Sequence, residues 1–181
     1  MLYFGTFRNI ATIVLSLGKL AWASGKTSEL VIDHADFEEL KQKFQNGFEV
    51  TKVCLSCHNE IGAQFMKTIH WTWMSTDISP EAKLGKGGLI INNFCIAMPS
   101  NEPRCTSCHP GYSWKDKSFD FTKQENIDCL ICHERTGSYK KFPTGAGNPA
   151  SEPTQFGSEI FQPPEWNKVA QSVGRPARDN Y

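Results

Sequence analysis

Apolar residues after position 36 fall on a helical spacing. Phe37, Leu40, Phe44 and Phe48 recur at intervals of three and four, the period of one helix face. Asp36 and Glu39 stand at a capping-box spacing, and Gly47 offers a stop, so the pattern predicts a helix over residues 33–48. A second helix is predicted from near Val53, its apolar face continued by Ile61, Phe65 and Ile69. Residues 76–94 carry Pro80, Gly85, Gly87 and Gly88 and read as a loop. Residues 112–124 read as irregular, and a short helix then ends near Gly137. From Phe142 to Pro164 the chain is rich in Pro, Gly, Ser and Thr, the composition of a long loop. A last short helix is predicted from Pro164 to Val173, stopped by Gly174. No strand pattern is clear enough to assign, so the expected fold class is mainly α with extensive irregular loops.

Residues 1–23 follow a different pattern. Arg8 supplies a positive start, Ile10 to Leu17 an apolar stretch, and Ala21-Trp22-Ala23 a small-residue cleavage site. These are the parts of a secretory signal peptide. The apolar run is short for a membrane span and Lys19 interrupts it, so an uncleaved anchor is the lesser reading. Either way residues 24–181 are expected outside the cytoplasm, in the periplasm. The 19 basic and 19 acidic residues balance, and no basic run is long enough to favour a nucleic-acid partner.

Seven cysteines in an exported chain would ordinarily imply disulfides. Their spacing points elsewhere. Six fall in three identical pentads: Cys54-Leu-Ser-Cys57-His58, Cys105-Thr-Ser-Cys108-His109 and Cys129-Leu-Ile-Cys132-His133. C-x-x-C-H is the attachment signal of c-type haem. Residues i and i+3 share one face of a helical turn, so the two thiols can reach two vinyl groups of one porphyrin. The histidine that follows becomes the proximal iron ligand. Redox pairs and zinc sites need no histidine in that place. Three covalently attached haems are therefore expected, with the haems forming much of the core. Trp114, Phe119 and Phe121 are expected to pack on them. Cys95 remains, either a buried inert thiol or one near a reactive haem.

Five histidines serve these irons. His58, His109 and His133 are proximal, which leaves His34 and His70 for three distal positions. Neutral imidazole suits iron, and His70 sits between aromatic residues. Met66, Met74 and Met98 are more simply read as packing. One distal position is left for another side chain, another polypeptide or substrate. A lysine can fill it when burial favours the neutral amine, and Lys140 and Lys141 follow the third pentad; as generic sequence, both read as solvated surface lysines.

The strings EVTKVCLSCHNE, MKTIHWTW, INNFC, PSNEPRCTSCHPGYSW, IDCLICHERTGSYKKFPTGAG and VGRPARDN together resemble the N-terminal part of the octahaem tetrathionate reductase family. That resemblance implies a periplasmic, mostly helical multihaem cytochrome c. It also implies reduction of tetrathionate to two thiosulfates by two electrons, with nitrite and hydroxylamine as further substrates. The active-site haem would be the one on Cys105, Cys108 and His109. Its second ligand would be a lysine, Lys140 or Lys141, with the lean toward Lys141; the other lysine would help to hold the anionic substrate. Electrons would come from a donor cytochrome or a quinol-linked protein. The family pattern continues past VGRPxRxN with a fourth motif, where this sequence stops at Tyr181. Three readings follow: the N-terminal portion of such a reductase, with the other haem-bearing part elsewhere; a self-sufficient trihaem electron carrier; or a non-functional remnant.

Overall fold

The computed structural model describes residues 32–74, 85 and 102–176. The expected signal peptide, most of the 76–94 loop, Cys95 and Met98 lie outside the described residues. Among the described residues six short α-helices run in order: α1 (Gly47–Cys57), α2 (Ile61–Phe65), α3 (Ile69–Thr72), α4 (Glu102–Cys105), α5 (Leu130–His133) and α6 (Trp166–Gln171). Turns and irregular segments join them. Two three-residue strands, β1 (Thr154–Phe156) and β2 (Glu159–Phe161), form an antiparallel hairpin in which Gln155 faces Ile160. The chain is mainly helical and irregular, as its pattern implies.

The helix expected over residues 33–48 does not form. His34–Asp36 and Glu38–Leu40 make single 3-10 turns, and α1 begins only at Gly47. The capping box used is a later one. Asn46 accepts the Glu49 N–H at 3.0 Å, and the Glu49 carboxylate accepts the Gln45 N–H at 2.7 Å. Gly47 is thus a helix start, not a stop, and a tertiary contact explains why it is glycine. A Cβ there would lie 2.6 Å from Cε1 of Tyr112 and nearer still to Cζ and the hydroxyl. α1 then runs without a break into the first pentad.

Leu40, Phe44, Val50, Leu130, Tyr139, Val169 and Ala170 form a peptide core where α1, α5 and α6 meet. α6 grips the first segment from outside. Asn167 accepts the Phe44 N–H at 3.3 Å, and Gln171 donates to the Leu40 carbonyl at 3.2 Å. Thr51, buried on α1, donates to the Ile127 carbonyl at 2.7 Å and so ties the first pentad's helix to the approach of the third. The apolar face expected through Ile61, Phe65 and Ile69 is only partly buried, since Ile61 is 52% and Ile69 51% exposed. Trp71 is the buried anchor of that region.

The hairpin was not expected. Its strands are too short for alternation to show, but Gly157-Ser158 is a two-residue hairpin turn of a recognised kind. Phe156 and Phe161 stand edge-on to Phe142, at 5.8 and 5.5 Å between ring centroids. The Arg104 guanidinium lies 5.5 Å above the Phe156 ring. The hairpin therefore leans on the segment beside the second pentad.

Gly47→Ala should destabilise the protein. Helix propensity favours alanine by about 0.5–1 kcal/mol, but overpacking a fixed neighbour costs about 1–3 kcal/mol. Tyr112 cannot yield easily, because it is buried and hydrogen-bonded. A lower urea midpoint for the variant holoprotein is the expected outcome, and an equal or higher one would contradict the packing argument.

Candidate haem-attachment site

Each pentad lies on a helical turn, as attachment to one porphyrin requires. Cys54 and Cys57 are in the last turn of α1, with His58 as its C-cap. Cys105 ends α4 and Cys108 ends the 3-10 turn that follows. Cys129 precedes α5, which carries Cys132 and His133. All six thiols are free.

The surroundings of the three histidines differ. His109 is 0% exposed. Around it lie Trp71, Trp73, Trp114, Phe119 and Phe121, with ring centroids 4.7–5.9 Å from its own. Its Nε2 is 3.1 Å from the Trp71 carbonyl, while its Nδ1 is buried without a partner. Burial pushes the His109 imidazole down to about 4, so the ring is neutral at pH 7. Gly111 lets the backbone fold back on the ring, since a Cβ there would lie 2.7 Å from His109 Nδ1.

His133 is exposed, and its Nδ1 is 2.8 Å from the Gly174 carbonyl. The Gly174 N–H returns a 2.9 Å bond to the His133 carbonyl. A proton donated from Nδ1 leaves the Nε2 lone pair for a metal. His58 is exposed too, and His34 faces it at 6.3 Å between ring centroids. His34 Nδ1 is buried without a partner, and desolvation, followed by the charge of His58, lowers its proton affinity. The first and third pentads adjoin. A hydrogen bond from Cys129 lowers the Cys54 thiol's proton affinity, while the same bond together with burial raises that of Cys129.

The two lysines separate cleanly. Lys140 is a surface residue, 61% exposed and 2.7 Å from Glu159. Lys141 is buried, with 7% of its side chain exposed. Its Nζ donates to the His109 carbonyl at 2.5 Å and to the Gly111 carbonyl at 3.3 Å, and lies 3.1 Å from Asp128 Oδ2. His34 is thus brought to His58 and Lys141 to His109, whereas His70 is exposed on α3 and Lys140 on the surface.

Sequence reasoning missed Asp128, Tyr112, Tyr139 and Trp71. Asp128 stands directly before Cys129, where a helix N-cap would be looked for, and that signal was available. Nothing local marks the tyrosines, which meet Asp128 only through the tertiary fold.

Attached porphyrin fits these residues: i,i+3 thiols free of disulfides, a following imidazole, orphaned buried ring nitrogens, and an apolar aromatic cage. The comparisons agree. Residues 53–134 match the family model for cytochrome c554 and c-prime. An octaheme cytochrome c from Shewanella oneidensis, known from its crystal structure, is 47% identical with a TM-score of 0.66. The chain is a multihaem c-type cytochrome. The match covers 82% of this chain and 31% of the Shewanella chain. An uncharacterised protein of Archaeoglobus fulgidus is 24% identical over 165 residues, which is 72% of this chain and 54% of that protein. The chain thus spans about half or less of the relatives it matches. Covalently attached haem c is the cofactor that these matches imply.

Thr106, inside the second pentad, tests how tightly that cytochrome turn is held. Its buried hydroxyl reaches the Trp114 carbonyl at 2.5 Å and the Glu102 carbonyl at 3.0 Å. Thr106→Val keeps the shape but leaves a buried acceptor short, at a cost of about 1–3 kcal/mol. A lower melting temperature with unchanged haem content is expected.

Proposed function

We propose that this chain is the three-haem portion of a periplasmic tetrathionate-reducing cytochrome, one of whose haems is the site of chemistry. In this reading Cys54, Cys57 and His58 hold the first haem, with His34 opposite. Cys105, Cys108 and His109 hold the second, and Cys129, Cys132 and His133 the third. His70, exposed on α3, is a ligand for a third-pentad haem or for one beyond this chain. When bound, haem c supplies a one-electron iron couple and, where a ligand can leave, an open coordination position.

The observation that carries the reading is Lys141. A lysine buried to this degree is uncommon, and this one lies against the backbone of the second pentad's histidine. Lys141 is proposed as the exchangeable ligand of that haem, which makes way for substrate. Arg104 is exposed at the same pentad, and Lys140 follows next door, so cationic side chains are available to an anionic substrate such as tetrathionate. Acceptance of two electrons then yields two thiosulfates. The aromatic rings around His109 exclude water from its surroundings. Donors of electrons would be another cytochrome or a quinol-linked protein.

One arrangement favours a second reading. The Lys141 ammonium already has three acceptors, as it would in a trihaem electron carrier whose lysine is purely structural.

Single substitutions decide between them. Lys141→Ala should change the absorption and electron paramagnetic resonance of one haem and open it to cyanide, while Lys140→Ala should leave every haem spectrum as it was. An unchanged spectrum in Lys141→Ala would sink the ligand assignment and leave electron transfer alone. Intact mass of the native holoprotein checks the count of attached haems, and replacement of Cys105 and Cys108 by Ala should lower that count by one.

A further inference from the structure

Asp128 precedes the third pentad by one residue, and its side chain is 0% exposed. Its carboxylate gathers donors from three parts of the chain. Oδ1 accepts the Tyr112 hydroxyl at 2.8 Å and the N–H groups of Leu130 and Ile131 at 3.0 and 3.2 Å. Oδ2 accepts the Tyr139 hydroxyl at 2.8 Å and faces Lys141 Nζ at 3.1 Å. One oxygen therefore caps the first turn of α5, which carries the third pentad. The other fixes the lysine that touches His109. The Asp128 N–H is itself pinned to the Pro110 carbonyl at 2.9 Å, so its backbone is registered against the end of the second pentad.

Capping α5 does not by itself call for a carboxylate, since asparagine caps as well. Nor does it call for a phenol on each oxygen. Those features have a use if the carboxylate must keep one orientation, with Oδ2 toward Lys141. A buried network of this kind resists rearrangement, because moving any member leaves several donors unpaired. We propose that Asp128 is a positioning residue, oriented by Tyr112 and Tyr139, that holds the Lys141 side chain beside the second pentad and ties that position to the third. The proposal rests on the reading of Lys141 as an iron ligand.

The test uses the full-length holoprotein with Asp128→Asn. Asparagine keeps an oxygen for Leu130 and Ile131 but loses the charge that holds Lys141. The haem altered by Lys141→Ala should also be altered by Asp128→Asn, seen in its electron paramagnetic resonance signal and near-infrared charge-transfer band. Cyanide should bind that haem about tenfold faster or more, on the scale of one lost charge-assisted hydrogen bond. Attached haem, counted by intact mass, should not change. If Asp128→Asn gives no holoprotein, Tyr139→Phe serves instead, with a smaller change at the same haem. The positioning role is overturned if either variant leaves that haem as in the wild type, or changes only a different one, which is the result of a residue that merely caps α5. If Lys141→Ala alters no haem, the ligand reading fails and this proposal with it. If Lys141→Ala alters one haem and Asp128→Asn none, the positioning role alone fails.

Discussion

A carboxylate removed from water persists only where donors replace the solvent it has lost. Asp128 meets that condition with two hydroxyls, two backbone N–H groups and one ammonium. These donors come from three parts of the chain. Tyr112 follows the second pentad and presses on the start of α1 through Gly47. Tyr139 is part of the peptide core. Lys141 opens the segment that bridges to Pro149. Burial and the nearby carboxylate hold both tyrosines far above the ordinary phenol range, so they act here only as neutral donors. With few residues per pentad and short helices, a single satisfied anion can register segments that no long element connects.

What the sequence revealed and what it hid follow from the range of each interaction. The pentads are legible because attachment is a local affair of one helical turn, and the structure puts each on such a turn. Trp114, Phe119 and Phe121 were expected to pack on a haem; in the structure they lie around His109 and on one another. The helix over residues 33–48 was misread because two capping boxes compete, Asp36 with Glu39 and Asn46 with Glu49. The choice between them is made by Tyr112, far along the chain, which admits only glycine at position 47. The two lysines could not be told apart for another reason. Neighbours on extended backbone point to opposite faces, and which face is inward depends on the bridge from Lys141 to Pro149. The hairpin left one signal, the Gly157-Ser158 turn, among residues that otherwise read as loop.

Three pentads of identical pattern occupy unequal surroundings, and the inequality bears on what each can do. His58 and His133 are exposed; His34 faces the first ring at 6.3 Å between centroids, and the Gly174 carbonyl lies 2.8 Å from Nδ1 of the second. The His109 ring is enclosed by aromatic side chains, and its backbone carbonyl accepts from the buried Lys141 amine. A charge in an apolar setting costs free energy unless it is matched, and Lys141 is matched by Asp128 and two backbone carbonyls. Moving that amine would leave those acceptors short of a donor. The difference among the three sites, more than the motif they share, is what sets the second apart.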